Sequence, residues 1–459
     1  MSKILQCLNA FVWGAPSLFL ILGVGLFLTI LLRGVQITRL PRALACFWRK
    51  LRSKESTATG TTPFRALCTA LAATVGTGNL VGVAGAISLG GPGAIFWMWV
   101  SGILGMITKY AEATLAVRYR KKTPQGYIGG PMYVITQGLG ERYRPLAVCY
   151  CVCAIAASFG VGNAAQINAV VSGINSVLVS CGGSATTAGN LLMGLLLAWS
   201  LGSMLLGGEK RIGAAAELLV PFAATAYILL CFGVLVCRID AIPGAFAAIV
   251  QGAISPKAVT GGALGSAFQA MRIGCSRGVF TNEAGMGTAS IAHAAADVSH
   301  PAEQGLMGIM EVFLDTIVIC TMTALVILTS GIPVPYGTDA GGNLASTAFS
   351  SVYGDSAAVI LAIALTLFAV ATVLGWGLYG GRCVEFLFDR KGWKIYLWAQ
   401  IVTIILSSVM DTAVVWQFSE LLNGLMVIPN LLTLTLLAPE VVRLTEGYKS
   451  MVRHAPRHR

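Results

Sequence analysis

Long apolar stretches separated by short polar segments follow one another along most of this chain. The hydrocarbon core of a membrane is about 30 Å thick, and a helix needs roughly 20 residues to cross it. Eleven stretches near that length predict eleven spans, at residues 11–33, 64–90, 93–117, 146–178, 187–207, 212–237, 261–296, 304–330, 356–381, 395–410 and 413–438. The pattern therefore predicts an all-α polytopic membrane protein.

The order of the spans predicts their arrangement. The first span, 11–33, stands apart as an extra N-terminal helix, and the other ten form two groups of five, at residues 64–237 and 261–438. Because the two groups begin on opposite sides of the membrane, they have the topology of an inverted repeat, although similarity between the halves is not visible by eye. We predict a single membrane domain over residues 1–459, with a basic cytoplasmic tail at 439–459.

The composition fits a chain embedded in lipid. Hydrophobic residues make up 56% of the 459 residues and charged residues only 11%, whereas a soluble domain carries about 25% charged residues. A large water-facing domain is therefore excluded. Most of the twelve cysteines lie within apolar runs, which predicts buried free thiols and neither a disulfide scaffold nor a metal site. The first apolar stretch is too long for a typical signal peptide and predicts a retained span.

Positive charge is unevenly distributed over the predicted loops. If the N-terminus lies outside, 25 of the 31 Lys and Arg residues fall on the cytoplasmic side. Since these residues accumulate in cytoplasmic loops, we predict a multi-pass protein of the cell membrane with its N-terminus outside and its C-terminus in the cytoplasm. The net charge of +12 follows from this topology, and no nucleic-acid partner is expected.

Two predicted spans are interrupted by glycine and polar residues near their middle. The second span carries Gly76-Thr-Gly-Asn79, and the seventh carries Gly278-Val-Phe-Thr-Asn-Glu-Ala-Gly-Met-Gly287. Such residues are poor helix formers. Unwinding frees N–H groups, which bind a carboxylate, and carbonyl groups, which coordinate a cation or an ammonium group. Matching interruptions in the first helix of each half are typical of the central site of a secondary transporter.

Other interpretations stay open at this point. Close helix packing through small residues explains Gly78, Gly82 and Gly85 but not the polar residues beside Gly78. In a purely structural interpretation, Glu283 pairs with a nearby arginine to remain neutral in the bundle. A channel, a transporter-derived nutrient sensor and a membrane enzyme are less favoured, because the sequence has no repeated filter, no soluble output domain and no catalytic arrangement at membrane depth.

The interrupted segments and their neighbours resemble the alanine or glycine:cation symporters. The motifs that carry the resemblance are Gly76-Thr-Gly-Asn-Leu-Val-Gly-Val-Ala84, Gly90-Gly-Pro-Gly-Ala-Ile-Phe-Trp-Met-Trp99, Lys109-Tyr-Ala-Glu-Ala-Thr-Leu-Ala116, Gly129-Gly-Pro-Met-Tyr133, Asn163-Ala-Ala-Gln166, Gly278 to Gly287 and Leu374-Gly-Trp376. The resemblance implies the leucine-transporter fold of the amino acid-polyamine-cation superfamily, with ten core helices and one more at the N-terminus. It also implies a transporter and not an enzyme, which imports alanine or glycine with sodium, or occasionally with protons, and needs no cofactor.

The resemblance also implies roles for individual residues. The substrate would contact Thr77, Gly78, Asn79, Phe159, Asn163, Gln166, Thr281, Asn282 and Trp376, of which the last would limit the size of the substrate's side chain. Sodium would lie between the carbonyl groups around Gly76 and the hydroxyl group of Thr372. An isolated Asn or Gln in a span also serves as an interhelical hydrogen-bond partner, and Trp376 also fits as an ordinary wall residue.

Two positions depart from the pattern of the family. Ala371 precedes Thr372 where a second hydroxyl residue is common, and Gly381 stands where an acidic residue is expected. The choice between sodium and a proton therefore stays open, with Glu283 or Asp315 as the coupling acid if a proton is used. The preference among alanine, glycine and D-alanine, the ion count and the oligomeric state are not determined by the sequence.

Overall fold

The computed structural model describes residues 8–9, 11–52, 61–124, 126–255, 267–338, 341–410 and 412–454. The start of the predicted seventh span, 261–266, and the end of the predicted tail, 455–459, lie outside the described residues. The described chain is mainly helical, and its strands are β1, Lys121–Thr123, and β2, Gly126–Ile128, which pair antiparallel.

The helices of the first half are α1 Ala15–Leu31, α2 Val35–Thr38, α3 Leu40–Arg52, α4 Pro63–Thr74, α5 Val81–Gly90, α6 Gly93–Arg118, α7 Pro131–Tyr133, α8 Arg144–Phe159, α9 Ala165–Ser180, α10 Thr187–Leu205, α11 Gly208–Cys237 and α12 Ile242–Ile254. Those of the second half are α13 Ala267–Asn282, α14 Ala289–Ala294, α15 Pro301–Val312, α16 Thr321–Thr329, α17 Gly341–Tyr353, α18 Ser356–Ser407, α19 Thr412–Leu436 and α20 Ala438–His454. Short 3₁₀ turns lie at Thr77–Asn79, Glu141–Tyr143 and Ile239–Ala241, and wider π-helical turns lie at Val134–Leu139, Gly160–Ala164 and Phe313–Cys320.

The helices confirm a multi-pass membrane protein. Six continuous helical runs in the described chain are long and apolar enough to span a membrane: Gly93–Arg118, Glu141–Val179, Thr187–Leu205, Gly208–Cys237, Pro301–Thr329 and Ser356–Ser407. Two helix pairs, each bent by 60°, raise the number to eight if each pair is one span: Pro63–Thr74 with Thr77–Gly90, and Leu421–Leu436 with Ala438–Arg453. Eleven spans and the inverted repeat stay predictions.

Helix α18 is too long to cross a membrane once. Its 52 residues would extend about 78 Å at 1.5 Å per residue, against a hydrocarbon core of about 30 Å. Asp389 interrupts it, with a φ of 55° and a ψ of −166°. This break lies between the two spans predicted at 356–381 and 395–410, so the division of this run agrees with the sequence pattern.

The first interrupted span bends where its sequence weakens the helix. Pro63 occupies the first turn of α4, and the hydroxyl oxygen of Thr62 accepts a hydrogen bond of 3.1 Å from the N–H of Arg65. The helix ends at Thr74, and Gly76 is extended. Helix α5 resumes at Val81. Glycine and asparagine at mid-span therefore produce the predicted break.

The second interrupted span breaks for a different local reason. Three residues between α13 and α14 have left-handed backbone angles: Glu283 with a φ of 53°, Gly285 with 93° and Gly287 with 78°. Glycine enters this region without steric cost, whereas a residue with a side chain such as glutamate is uncommon there. The turn ends the helix at Asn282, as the glycine pattern predicted.

Candidate functional site

The two interrupted spans lie against each other in the core of the protein. A methyl group added at Gly78 would lie 3.1 Å from Cγ2 of Thr281, so the two segments are in direct contact. The predicted substrate residues of both segments are buried: Thr77, Gly78, Asn79, Thr281 and Asn282. The structure thus brings together the five predicted substrate residues that these two segments contribute.

Part of the backbone at the first break has no hydrogen-bond partner in the described part of the chain. The N–H of Gly76 donates to Oδ1 of Asn79 at 2.9 Å, and the N–H of Asn79 donates to the carbonyl oxygen of Gly76 at 3.3 Å. Within the described residues, the N–H groups of Thr77 and Gly78 donate to no backbone or side-chain acceptor. Buried N–H groups are nearly always paired, so this segment is suited to binding an anionic group such as a carboxylate.

Oxygen atoms from three separate segments meet beside Gly76. A methyl group added at Gly76 would lie 2.8 Å from Oγ1 of Thr372 and 3.6 Å from Oε1 of Gln166. The Thr372 hydroxyl donates to the carbonyl oxygen of Phe368 at 2.9 Å, which leaves its oxygen lone pairs available. The hydroxyl of Thr77 donates to Oε1 of Gln166 at 3.2 Å. Neutral oxygen ligands of this kind suit a hard cation.

A chain of hydrogen bonds connects the two breaks through a wider helical turn. Nδ2 of Asn79 donates to Oδ1 of Asp315 at 2.6 Å, and the hydroxyl of Thr316 donates to Oδ2 of Asp315 at 2.9 Å. Nδ2 of Asn282 donates to the same hydroxyl oxygen at 3.0 Å. Both middle residues belong to the π-helical turn Phe313–Cys320, a feature that often marks functional sites. The side chain of Asn79 therefore positions the first break relative to the second.

Trp376 is connected to the second break through a carboxylate. Its ring is fully buried, and Nε1 donates to Oε1 of Glu283 at 2.8 Å. The hydroxyl of Thr288 donates to the other carboxylate oxygen at 2.6 Å. Both oxygens of Glu283 thus accept from neutral donors, so the arginine pairing considered from the sequence is not the arrangement found. A methyl group at Gly162 would overlap the Trp376 side chain, so this glycine allows the close packing of the ring.

Phe159 and Asn163 face the second part of α18. The Phe159 ring packs edge-on against the ring of Tyr396, with 5.5 Å between centroids. Nδ2 of Asn163 donates to the backbone oxygen of Gln400 at 2.9 Å and to its Oε1 at 2.5 Å. These are interhelical contacts of the type that an isolated polar residue makes in a membrane helix. Of the three residues predicted on this span, Gln166 is the one in contact with the first break, and substrate contacts for the other two stay predictions.

Glu112 completes the second break, and sequence reasoning missed this role. Its Oε1 accepts hydrogen bonds from the N–H groups of Gly285 at 2.9 Å and Gly287 at 3.1 Å, and from Nδ2 of Asn430 at 2.7 Å. The same amide nitrogen of Asn430 donates to the carbonyl oxygen of Gly285 at 2.9 Å. The carboxylate therefore accepts from two of the N–H groups that the interruption releases at the second break.

Comparison with known proteins decides the family. The model of the sodium:alanine symporter family matches residues 1–458. The chain belongs to this family. It is 40% identical to the sodium/alanine symporter AgcS of Methanococcus maripaludis, over 98% of this chain and 97% of that protein. It is 39% identical to an uncharacterized transporter of Haemophilus influenzae, over 98% of this chain and 96% of the relative.

Solved structures of distant transporters share the fold of this symporter. The crystal structure of MhsT in complex with L-phenylalanine matches with a TM-score of 0.57 and 14% sequence identity, over 85% of this chain and 99% of that one. At this identity the likeness concerns the fold alone, and the fold it shows is the leucine-transporter fold. The protein is therefore a sodium-coupled amino-acid symporter by family and not an enzyme.

A buried ion pair in the symporter lies near Glu112. Nζ of Lys109 is 3.1 Å from Oε1 of Glu311, whose Oε2 is 2.9 Å from Nε2 of His293, and all three side chains are fully buried. A sequence signal for this region existed, because Lys109 and Glu112 are charged residues three positions apart in an apolar span. Charged residues at membrane depth are costly and usually functional. The sequence did not indicate the contacts with Glu311 and His293, because these two residues lie in distant parts of the chain.

Proposed function

We propose that the protein imports a small neutral amino acid, alanine or glycine, together with sodium by alternating access. One observation carries the proposal: the two breaks meet where the N–H groups of Thr77 and Gly78 have no acceptor among the residues that the structure describes. Oxygen atoms of Thr372 and Gln166 lie beside Gly76 in the same segment. The site thus has one part suited to an anion and one part suited to a cation, as a zwitterion and sodium require.

The size of the substrate follows from the close contact of the breaks. Gly78 has no side chain, and a single methyl group there would already come within 3.1 Å of Thr281. The polar side chains closest to the first break are neutral or, like Asp315, already hydrogen-bonded to protein. A charged side chain on the substrate would therefore remain unpaired, which is costly in a buried site. A long side chain would need space that the contact of the two breaks does not provide.

Coupling follows from the shared segment. Sodium beside Gly76 and a substrate carboxylate at the next two residues would occupy neighbouring backbone groups, so binding of one would organise the segment for the other. Linkage then requires sodium to raise alanine affinity by the same factor as alanine raises sodium affinity. The name of the relative AgcS, a sodium/alanine symporter, supports both the ion and the substrate.

Proton coupling is the second candidate, and one contact favours it. Asp315 is buried and accepts a hydrogen bond of 2.6 Å from Asn79 at the first break. A proton on this carboxyl group would change that contact directly. We propose sodium as the first candidate because Thr372, Gln166 and the nearby carbonyl groups supply several neutral oxygen atoms.

The deciding experiment is uptake of labelled alanine by purified protein in proteoliposomes, with sodium and proton gradients imposed separately. We expect uptake with an inward sodium gradient, competition by unlabelled glycine, and little competition by leucine or glutamate. D-alanine in the same assay measures stereochemical preference. Uptake that follows the proton gradient and ignores sodium would exclude the sodium site and favour Asp315. Equal competition by leucine would exclude the small pocket.

The orientation is a proposal of its own. The charge pattern places the N-terminus outside and the loops that contain Lys121 and Lys210 in the cytoplasm. Single cysteines introduced at these two exposed positions, in a variant that lacks the other exposed cysteines, should resist an impermeant thiol reagent in intact cells and react after permeabilisation. Labelling in intact cells would reverse the orientation.

A further inference from the structure

A cavity of about 430 Å³ lies apart from the two breaks, where α11 begins and where the two parts of α18 meet. It is lined by Gly207, Gly208, Glu209, Lys210, Arg382, Glu385, Arg390, Trp393 and Lys394. We call it the α11–α18 cavity. Its walls come from both predicted repeats, and the break at Asp389 turns the chain so that residues before and after it face the same space. The predicted orientation puts this cavity at the cytoplasmic face of the membrane.

The acidic residues of the α11–α18 cavity are already paired. The buried guanidinium group of Arg382 forms ion pairs with Glu209 and with Glu385, the second at 2.5 Å. Arg390 approaches Glu385 as well, at 3.4 Å. The lining therefore holds four basic residues and two acidic ones, and one buried arginine engages both carboxylates. The cavity has an excess of positive charge.

The lysines of the cavity supply this excess. Lys210 and Lys394 are exposed, and neither takes part in an ion pair among the residues that the structure describes. They come from different helices, Lys210 from the start of α11 and Lys394 from the second part of α18, and both line the cavity. Two ammonium groups that face one space suit an anion with several oxygen atoms, such as a phosphate group.

Exposed apolar residues stand close in the chain to the lining of the cavity. Leu206 precedes Gly207, Ile395 follows Lys394 and Phe388 stands two residues before Arg390, and they are exposed at 50%, 74% and 64%. Exposed apolar groups of this size are unfavourable in water but are expected beside lipid chains. Trp393 lines the same space, and tryptophan is enriched at the membrane–water interface. The cavity thus combines a basic interior with an apolar rim.

We propose that the α11–α18 cavity binds the headgroup of an anionic phospholipid. The phosphate would lie between Lys210 and Lys394, and the acyl chains would lie along Phe388 and Ile395. Basic pockets between membrane helices at the cytoplasmic side bind anionic headgroups in this way. A soluble phosphate would satisfy the lysines equally well but would leave the apolar rim uncovered, which is why the lipid is the better fit. The bound lipid would connect the two repeats at this face.

The test measures binding of phosphatidylglycerol and phosphatidylcholine to the full-length purified protein by native mass spectrometry. Each lysine near an anionic surface adds roughly fivefold in affinity, so the double variant Lys210→Gln/Lys394→Gln should bind phosphatidylglycerol about 25-fold more weakly. Binding of phosphatidylcholine should not change. The matched control is Lys121→Gln/Lys122→Gln, which removes the same charge from exposed lysines of the β1–β2 hairpin, on the same predicted side. This control should bind phosphatidylglycerol as the unchanged protein does.

Three results would overturn the proposal. The first is equal weakening in both double variants, which would mean general surface attraction and no defined site. The second is unchanged binding in the cavity variant when its thermal unfolding in detergent matches that of the unchanged protein. The third is full displacement of phosphatidylglycerol by millimolar glycerol phosphate, which would identify a soluble phosphate compound and not a lipid as the occupant. All four glutamine substitutions replace exposed lysines, and the same unfolding measurement monitors any loss of fold in both double variants.

Discussion

Removal of the Thr372 hydroxyl group tests the proposed cation site at one atom. Thr372→Ala deletes the oxygen that would lie 2.8 Å from a methyl group on Gly76, and Thr372→Ser keeps it. The side chain is buried and its hydroxyl donates to the carbonyl oxygen of Phe368 in its own helix. The alanine variant should therefore fold, because the helix retains its own backbone hydrogen bonds.

The expected magnitude follows from the loss of one neutral ligand of a charged ion. A hydrogen bond or ligand contact to a charged group contributes about 1.5–3 kcal/mol, and 1.4 kcal/mol corresponds to a factor of ten. The sodium concentration for half-maximal alanine binding should thus rise by about 10- to 100-fold in Thr372→Ala and by less than about threefold in Thr372→Ser. Alanine affinity at saturating sodium should change much less.

A matched control lies on the same helix. The hydroxyl of Thr366 donates to the carbonyl oxygen of Ala362, four residues earlier, at 2.7 Å, just as the hydroxyl of Thr372 donates to Phe368. Thr366 lies about a turn and a half of helix before Thr372. The assay is equilibrium binding of labelled alanine to detergent-purified protein over a sodium series at constant ionic strength. If Thr366→Ala shifts the sodium dependence as much as Thr372→Ala does, or if Thr372→Ala shifts nothing, then Thr372 is not a cation ligand.

The remaining predictions concern the two breaks. Gly76→Ala should abolish sodium-driven uptake at normal expression, because its methyl group would lie in the proposed cation site; uptake above half of the normal rate would contradict this. Glu112→Gln weakens the acceptor for two N–H groups and one amide, so the thermal unfolding temperature should fall, and Glu112→Ala should lower it further. Trp376→Phe removes the donor to Glu283 and should lower the free energy of unfolding by about 1–3 kcal/mol, which thermal unfolding measures. If the variant changes only the selectivity for substrate size and keeps its stability, Trp376 serves as a wall residue and its hydrogen bond does not stabilise the fold.

The interruptions of both spans were predictable from sequence because their cause is local. Gly76 and Gly78 weaken a helix wherever they stand, and Gly285 and Gly287 allow the left-handed backbone that the second break adopts. The family motifs lie in the same segments. The existence and position of the breaks therefore follow from the residues themselves.

Contacts between distant segments could not be predicted in the same way. A substrate contact of Asn79 stays a prediction, but sequence did not indicate that its amide closes its own turn and binds Asp315, 236 residues later. Asn163 and Gln166 stand three residues apart in one motif, and the π-helical turn beside them directs one to Gln400 and the other to Thr77. Whether a π-helical turn forms depends on the helices that pack around it, and the composition of the segment does not reveal that packing.

The sequence by itself determined the membrane class, the family and the positions of the two breaks, because apolar length, glycine placement and motif order are properties of short stretches. Only the tertiary structure decided that Thr372 lies beside Gly76, that Glu112 accepts from the N–H groups of Gly285 and Gly287, and that Asn79 contacts Asp315. These contacts arise from helix packing, which brings together residues that lie far apart in the chain and so cannot be read from any short stretch.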